Sequence, residues 1–112
     1  MHVLFICTQN LHRSPTAEFM LSENPRYEVR SAGISMDSKT TVNEEMLDWA
    51  DMIFVMDEQN AGEKTFLLKN FQMVKDLEEK IIVLDIPDKY LFGSEELVKL
   101  LLHKLGEYLD SV

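Results

Sequence analysis

The chain is poor in several things, and each scarcity closes off a class of protein. One cysteine, Cys7, stands among 112 residues. That excludes an internal disulfide and any zinc site built from several thiolates. Long apolar runs are missing. The longest are Val3–Cys7 and Ile81–Leu84, far short of the roughly 20 residues that a membrane-spanning helix needs. Met1-His2-Val3 offers no basic stretch leading into an apolar one. No secretory leader is therefore expected, and a cytoplasmic location is. Basic residues are few: 11 Lys and Arg face 20 Asp and Glu, a net charge of −9. No Lys/Arg cluster exists to form a nucleic-acid footprint, and the acidic field repels anionic lipid. Neither nucleic acid nor membrane is an expected partner. The same field disfavours long-range capture of anions, so any phosphate site must be local.

What is present describes an ordinary folded chain. With 46% hydrophobic and 28% charged residues, composition fits a globular α/β protein. The length suits one domain, residues 1–112, with no repeats, linkers or low-complexity stretches. Residues 2–6 read as a buried strand, 27–31 as a second, 51–56 as a third and 80–84 as a fourth. Between them lie helix-like segments at 14–22, 42–49 and 57–70, and a last amphipathic helix runs from a Ser94 cap to about Leu109. Ser14 is the expected cap of the first helix, with Pro15 in its first position. Asp57 is the expected cap of the third, and Ala32-Gly33 the expected turn after the second strand. Residues 71–79 fit no period. Strands alternating with helices predict a small doubly wound, four-stranded parallel sheet with helices on both faces. Ligands in such folds sit beyond the carboxyl ends of the strands.

The loop after the first strand carries the chemistry. It reads Cys7-Thr8-Gln9-Asn10-Leu11-His12-Arg13-Ser14-Pro15. A loop leading from a strand into a helix start turns backbone amides inward and makes an anion site. Arg13 adds a planar fork that matches two phosphate oxygens. Cys7 at the base of that cradle meets positive potential, which favours its thiolate. A thiolate beneath a held phosphate is arranged for in-line attack on phosphorus. The Ser14 hydroxyl is placed to donate to the sulfur. The loop has no glycine, and Asn10 is its residue most tolerant of a left-handed backbone. The bland alternative is a small buried cysteine beside a chance arginine. The position of both residues at a strand-to-helix loop favours the functional reading.

Cys7-x5-Arg13-Ser14-Pro15-Thr16-Ala17-Glu18 resembles the N-terminal signature of the low-molecular-weight protein tyrosine phosphatases. Ser31-Ala32-Gly33, Ala50-Asp51-Met52-Ile53, Met56-Asp57 and Ile86-Pro87-Asp88-Lys89-Tyr90 resemble further segments of that family, in the same order. The resemblance implies a metal-free, cofactor-free phosphomonoester hydrolase acting on phosphotyrosine or a similar aryl phosphate. Its substrate would be a phosphorylated protein or a small aryl phosphate. Cys7 would form a phosphocysteine. Arg13 and the amides of Thr8, Gln9, Asn10, Leu11, His12 and Arg13 would hold the phosphoryl oxygens. Asp88 would protonate the leaving oxygen and then activate water, a need set by how poorly an alkoxide or phenolate leaves. Asp85 competes for that role, three residues earlier. Tyr90 is placed to flank the pocket.

The chain also departs from the family. Gln9 stands where a glycine is usual and His12 where a second cysteine is frequent. Lys89 replaces a proline, and the segment between Gly33 and Asp51 is short. His12 either adds local positive charge or is an exposed loop histidine, the latter being expected. Trp49 is expected in the core rather than at the pocket. Phe92-Gly93 either forms an apolar rim or packs the last helix, and His2 and His103 are expected at the surface. Three other readings stand beside the phosphatase. One is an arsenate reductase, which with one thiol would need external thiols. Another is a phosphocarrier, against which Arg13 argues. The third is a catalytically weak or inactive relative that only binds phosphate or a related oxyanion.

Overall fold

The computed structural model describes residues 1–110. Four parallel strands, β1 (His2–Cys7), β2 (Glu28–Gly33), β3 (Met52–Val55) and β4 (Ile81–Val83), form one sheet in the order β2-β1-β3-β4. Five helices connect and follow them: α1 (Arg13–Leu21), α2 (Glu44–Trp49), α3 (Glu63–Asn70), α4 (Leu77–Lys80) and α5 (Glu95–Leu105).

The apolar run of β1 is continuous because both of its faces are covered. Val3, Phe5 and Cys7 point to a core closed by Ala17 and Leu21 of α1 and Leu97, Leu101 and Leu105 of α5. Leu4 and Ile6 point the other way, to a core closed by Leu47 of α2, Leu67 of α3 and Leu77 of α4. Each fully buried Leu, Ile or Phe stabilises by roughly 1.5–3 kcal/mol, so the central strand anchors both layers. The last helix begins where the sequence places it. The Ser94 hydroxyl accepts the Leu97 amide (3.4 Å), and leucines at 97, 101 and 105 make one buried stripe. Among the described residues, no helix is long and apolar enough to cross a membrane.

Several boundaries differ from expectation. Helix α1 starts at Arg13 with His12 before it, so Ser14 lies inside the helix and gives no cap. Its hydroxyl is engaged by Cys7 instead. Pro15 is then the third helical residue, where an amide is still not required. Strand β2 runs through Ala32 and Gly33 rather than turning there, because both pair with β1. Helix α3 starts at Glu63, not at Asp57. Gly62 precedes it with φ +63°, a left-handed conformation that glycine adopts at little cost. The unassigned stretch 71–79 runs into the short helix α4. Helix α5 stops at Leu105, yet Leu109 still reaches the core.

The strand order sets the position of the site. From β1 the chain winds to β2 on one side, then crosses to β3 on the other. Helix α1 therefore leaves β1 toward one face and α3 leaves β3 toward the opposite face. The crevice between them, at the carboxyl ends of β1 and β3, is the topological switch point of the sheet. Backbone bonds from Met56 to Ile6 (3.0 Å) and from Ile86 to Met56 (2.6 Å) carry the ladder past the strand ends and bring residue 86 alongside it.

Candidate active site

Cys7 ends β1 in this crevice, buried to 2% exposure. The backbone then turns through Asn10, whose φ of 57° confirms the left-handed position expected of it. That turn aims the Asn10 amide at the Cys7 sulfur (3.2 Å). The Ser14 hydroxyl lies 2.9 Å from the same sulfur. Its direction follows from its neighbours. The Asn10 side-chain amide donates to Ser14 Oγ (2.9 Å) and to Ser31 Oγ (2.9 Å), and Ser31 donates to Glu18 Oε1 (2.5 Å). Ser14 Oγ thus already accepts a bond, and its own proton is directed to the sulfur. Two donors converge on Cys7, which is what a thiolate needs.

The loop's carbonyls are drawn outward by the segment after β2. Ile34, Ser35 and Lys39 donate their amides to the carbonyls of Cys7 (3.1 Å), Thr8 (2.9 Å) and Gln9 (3.1 Å). With the carbonyls bound on the outside, the amides are free to face the cavity. Gly33 permits this approach. A Cβ there would stand 2.3 Å from Ser38 Oγ and 2.7 Å from the Thr8 carbonyl. The short stretch after Gly33 is therefore the outer wall of the cradle.

Arg13 closes the other side, 2% exposed. Its Nη1 donates to the Ile86 carbonyl (2.8 Å) and its Nη2 to Thr8 Oγ1 (3.5 Å). Its Nε lies 3.7 Å from Asp88 Oδ1, and its Nη2 lies 3.7 Å from Glu63 Oε2. Glu63 is fully buried. Its Oε1 accepts the amides of Met56 (2.8 Å) and Asp57 (3.0 Å), and its Oε2 accepts the Thr8 hydroxyl (3.3 Å). Burial pushes the Glu63 carboxyl up to about 7, against the opposing pull of those hydrogen bonds and of Arg13.

These groups surround a cavity of about 350 Å³ lined by Cys7, Gln9, Leu11, His12, Arg13, Asp88, Lys89, Tyr90 and Leu91. Of the ten residues singled out from sequence, seven line it. Asn10 and Ser14 stand behind the cradle and hold the sulfur, while Thr8 joins Arg13 to Glu63. Asp85 is elsewhere, beside His103 and Lys104, with Lys104 Nζ on its carbonyl (3.2 Å). Among the described residues, no group of three His, Cys, Asp or Glu is placed to hold a metal ion.

Some single residues correct the expectation. His12 is half-buried at the mouth, and its Nδ1 accepts the Phe92 amide (3.2 Å). His2 is not a bare surface residue. It stacks on Trp49 (4.4 Å between rings), bonds the Trp49 carbonyl (2.9 Å) and pairs with Glu28 (3.1 Å). That contact sits at the amino ends of the strands, so Trp49 is away from the pocket, yet it is half-buried at the edge of the core between His2 and Arg30 rather than inside it. Phe92 is half-exposed, edge-on to Phe19.

Glu63 is the residue that sequence reasoning missed. Starting the helix at Asp57 placed it mid-helix, where a glutamate reads as a solvated side chain. Had Gly62 been taken as the helix start, an acid would have stood in the first turn at the ligand edge of β3.

The chain is similar to known proteins in both sequence and fold. The family model described as low molecular weight phosphotyrosine protein phosphatase matches residues 2–48. No curated protein matches the chain by sequence. Among solved structures, the YwlE arginine phosphatase from Geobacillus stearothermophilus is 25% identical over 95% of this chain and 90% of its own, with a TM-score of 0.68. A low molecular weight protein tyrosine phosphatase from T. tengcongensis is 25% identical over 97% of this chain and 99% of its own, with a TM-score of 0.70. The tyrosine phosphatase Wzb from Escherichia coli K30, in complex with phosphate, shares the fold at a TM-score of 0.75 and 19% identity, over 96% of this chain and 94% of its own. The sequence of its first two strands with their phosphate loop is similar to the low molecular weight phosphotyrosine protein phosphatases, and nearly the whole length of the chain shares their fold.

Proposed function

We propose that the protein hydrolyses phosphomonoesters, aryl phosphates such as phosphotyrosine foremost, through a phosphocysteine on Cys7. The observation that supports this most is the convergence of a buried sulfur, two donors aimed at it, Arg13 and Asp88 on one cavity. Loop amides and Arg13 hold the equatorial oxygens of the phosphoryl group. The Cys7 sulfur attacks phosphorus in line, the S–P bond forms and the ester O–P bond breaks. Asp88 gives its proton to the leaving oxygen. Water then attacks the phosphocysteine and passes a proton to Asp88, and the S–P bond breaks. The Ser14 hydroxyl stabilises the departing thiolate. Tyr90, Leu11 and Leu91 give the mouth an apolar edge suited to an aromatic leaving group. Asp88 takes the acid role over Asp85 because Asp85 does not face the cavity.

The test is hydrolysis of p-nitrophenyl phosphate by wild type, Cys7→Ser and Asp88→Asn. Cys7→Ser is expected to lose at least about 10⁴-fold in kcat, as loss of a nucleophile does elsewhere. Phosphotyrosine and phosphoarginine peptides belong in the same assay, since YwlE neighbours are named arginine phosphatases. Preference for phosphoarginine would replace the aryl substrate and keep the mechanism. An inactive wild type that still binds phosphate would leave an oxyanion-binding protein. Full activity in Cys7→Ser would overturn the phosphocysteine.

A further inference from the structure

The phosphoryl reaction has no role for Glu63, yet this carboxylate is more deeply buried than any other acid around the crevice. Its side chain is fully enclosed and reaches the cradle at two points, Arg13 Nη2 (3.7 Å) and Thr8 Oγ1 (3.3 Å). It comes from α3, on the opposite face of the sheet from α1, which bears Arg13. It therefore ties the anion-binding arginine to the far side of the switch point. The charged groups around it are few. Arg13 faces it from α1, Asp57 gives it a backbone amide at the end of β3, and Asp88 stands across Arg13 from the loop after β4. Cys7 and His12 share the cavity beyond Arg13.

We infer that Glu63 is a positioning residue for Arg13, and that an anion entering the cavity is bound together with a proton taken up on the Glu63 carboxylate. This rests on the phosphate-site reading above. Before the anion arrives, the buried guanidinium is flanked by the fully buried Glu63 carboxylate on one side and by the exposed Asp88 on the other. A phosphate dianion on the cavity side adds a third anionic group to Arg13, beside Glu63 and Asp88. Like charges gathered around one buried guanidinium raise each other's proton affinity, most of all at the carboxylate that is itself buried. Burial already pushes the carboxyl of Glu63 up to about 7, so a modest further push protonates it at neutral pH. The bonding around it survives the change. Oε1 keeps the amides of Met56 and Asp57, and the new O–H on Oε2 donates to Thr8 Oγ1. The proton comes from solvent, and no other bond is made or broken.

Sulfate is the probe, because it mimics the phosphoryl group and keeps its charge across this pH range. Calorimetric titrations at pH 7 in buffers of different ionisation enthalpy count the protons taken up. The Cys7→Ser background removes the thiol from that count. Uptake of about half a proton per sulfate is expected, since a group titrating near 7 is half-protonated there. Cys7→Ser with Glu63→Gln is expected to bind sulfate with almost no uptake. Between pH 6 and 8 the sulfate affinity of the single variant should weaken several-fold, at most about tenfold, and that of the double variant much less. Uptake that persists in the double variant assigns the proton to His12 or Asp88 and overturns the inference. Sulfate binding without uptake in the single variant also overturns it. No sulfate binding at all overturns the phosphate-site reading and takes this inference with it. Should the double variant fail to fold, carbon NMR of the Glu63 carboxyl in the single variant decides. Its titration midpoint must rise with saturating sulfate, and an unmoved midpoint overturns the coupling.

Discussion

The two loops that meet at the cavity are built in opposite ways. The loop from Cys7 to Ser14 has a buried interior. Cys7, Asn10, Arg13 and Ser14 are all enclosed, and their polar atoms are bound to one another or to Ser31, Glu63 and Ile86. The loop from Pro87 to Gly93 is almost wholly outside. The Asp88 side chain is 65% exposed, and Lys89, Leu91 and Phe92 are exposed with it. Its ties to the first loop and to α1 are thin: the Phe92 amide on His12 (3.2 Å), the Gly93 amide on Thr16 (2.9 Å) and the Asp88 carboxylate 3.7 Å from Arg13 Nε. The contrast follows from what each loop must do. Holding charge as it develops demands donors fixed in advance in a dry cradle. Delivering a proton to varied leaving groups asks only for reach. Changes in the first loop should therefore act on both stability and chemistry, and changes in the second on chemistry alone.

After loss of the Cys7 nucleophile itself, the largest expected effect sharpens this contrast from the first loop. Arg13→Lys keeps the charge but loses the planar fork and its bond to the Ile86 carbonyl. A fall in kcat/KM of about 10³-fold is expected, read in the p-nitrophenyl phosphate assay. Next comes Asp88→Asn, which should lower kcat by about 10²-fold or more while KM and the unfolding midpoint stay near wild type. Asp85→Asn should change kcat less than about twofold, since it lies outside the cavity; the reverse ranking would move the acid role to Asp85.

Stability effects are smaller in scale and belong to the first loop and to Glu63 behind it. Asn10→Ala puts a residue that tolerates a left-handed φ poorly where asparagine adopts it, and removes the bonds to Ser14 and Ser31. A loss of about 2–4 kcal/mol in urea unfolding is expected. Asn10→Gly should recover the backbone part. Glu63 contributes a pH slope. Its carboxyl is raised from 4.5 to about 7 in the folded chain, so the native state binds more protons than the unfolded one between those values. Stability from this group is therefore greatest below about pH 4.5 and falls as pH rises toward 7, by about 3 kcal/mol at most. Glu63→Gln should abolish that part of the difference between pH 5 and pH 8. An unchanged slope would mean that the carboxylate is better solvated than its burial indicates.

Much of the fold could be read from residues because the signals were local. The apolar runs of β1 and β4 and the leucine stripe of α5 are periodic in sequence, and period reflects which face is covered. Asn10 was legible for a similar reason, as the one tolerant residue in a loop with no glycine. The misplaced boundaries were those where a tertiary partner overrides local preference. Ser14 looks like a cap by composition, but its hydroxyl is claimed by Cys7. Ala32-Gly33 looks like a turn, but β1 pairs with both residues. Asp57 looks like a helix start, but Gly62 supplies the left-handed residue that begins α3.

Sequence was enough to establish that a lone cysteine and an arginine bracket a strand-to-helix loop, because loop, spacing and helix start lie within nine residues. It was enough, too, to show that a chain of net charge −9 must attract an anion by that loop alone. Which acid reaches the cavity was decided only by the fold. Asp85 and Asp88 are three residues apart, and the ladder beyond β4 turns one toward Lys104 and the other toward Arg13. The burial of Glu63 beside Arg13 was likewise invisible in the sequence. The two residues are 50 positions apart and approach only because β1 and β3 are neighbours at the switch point of the sheet.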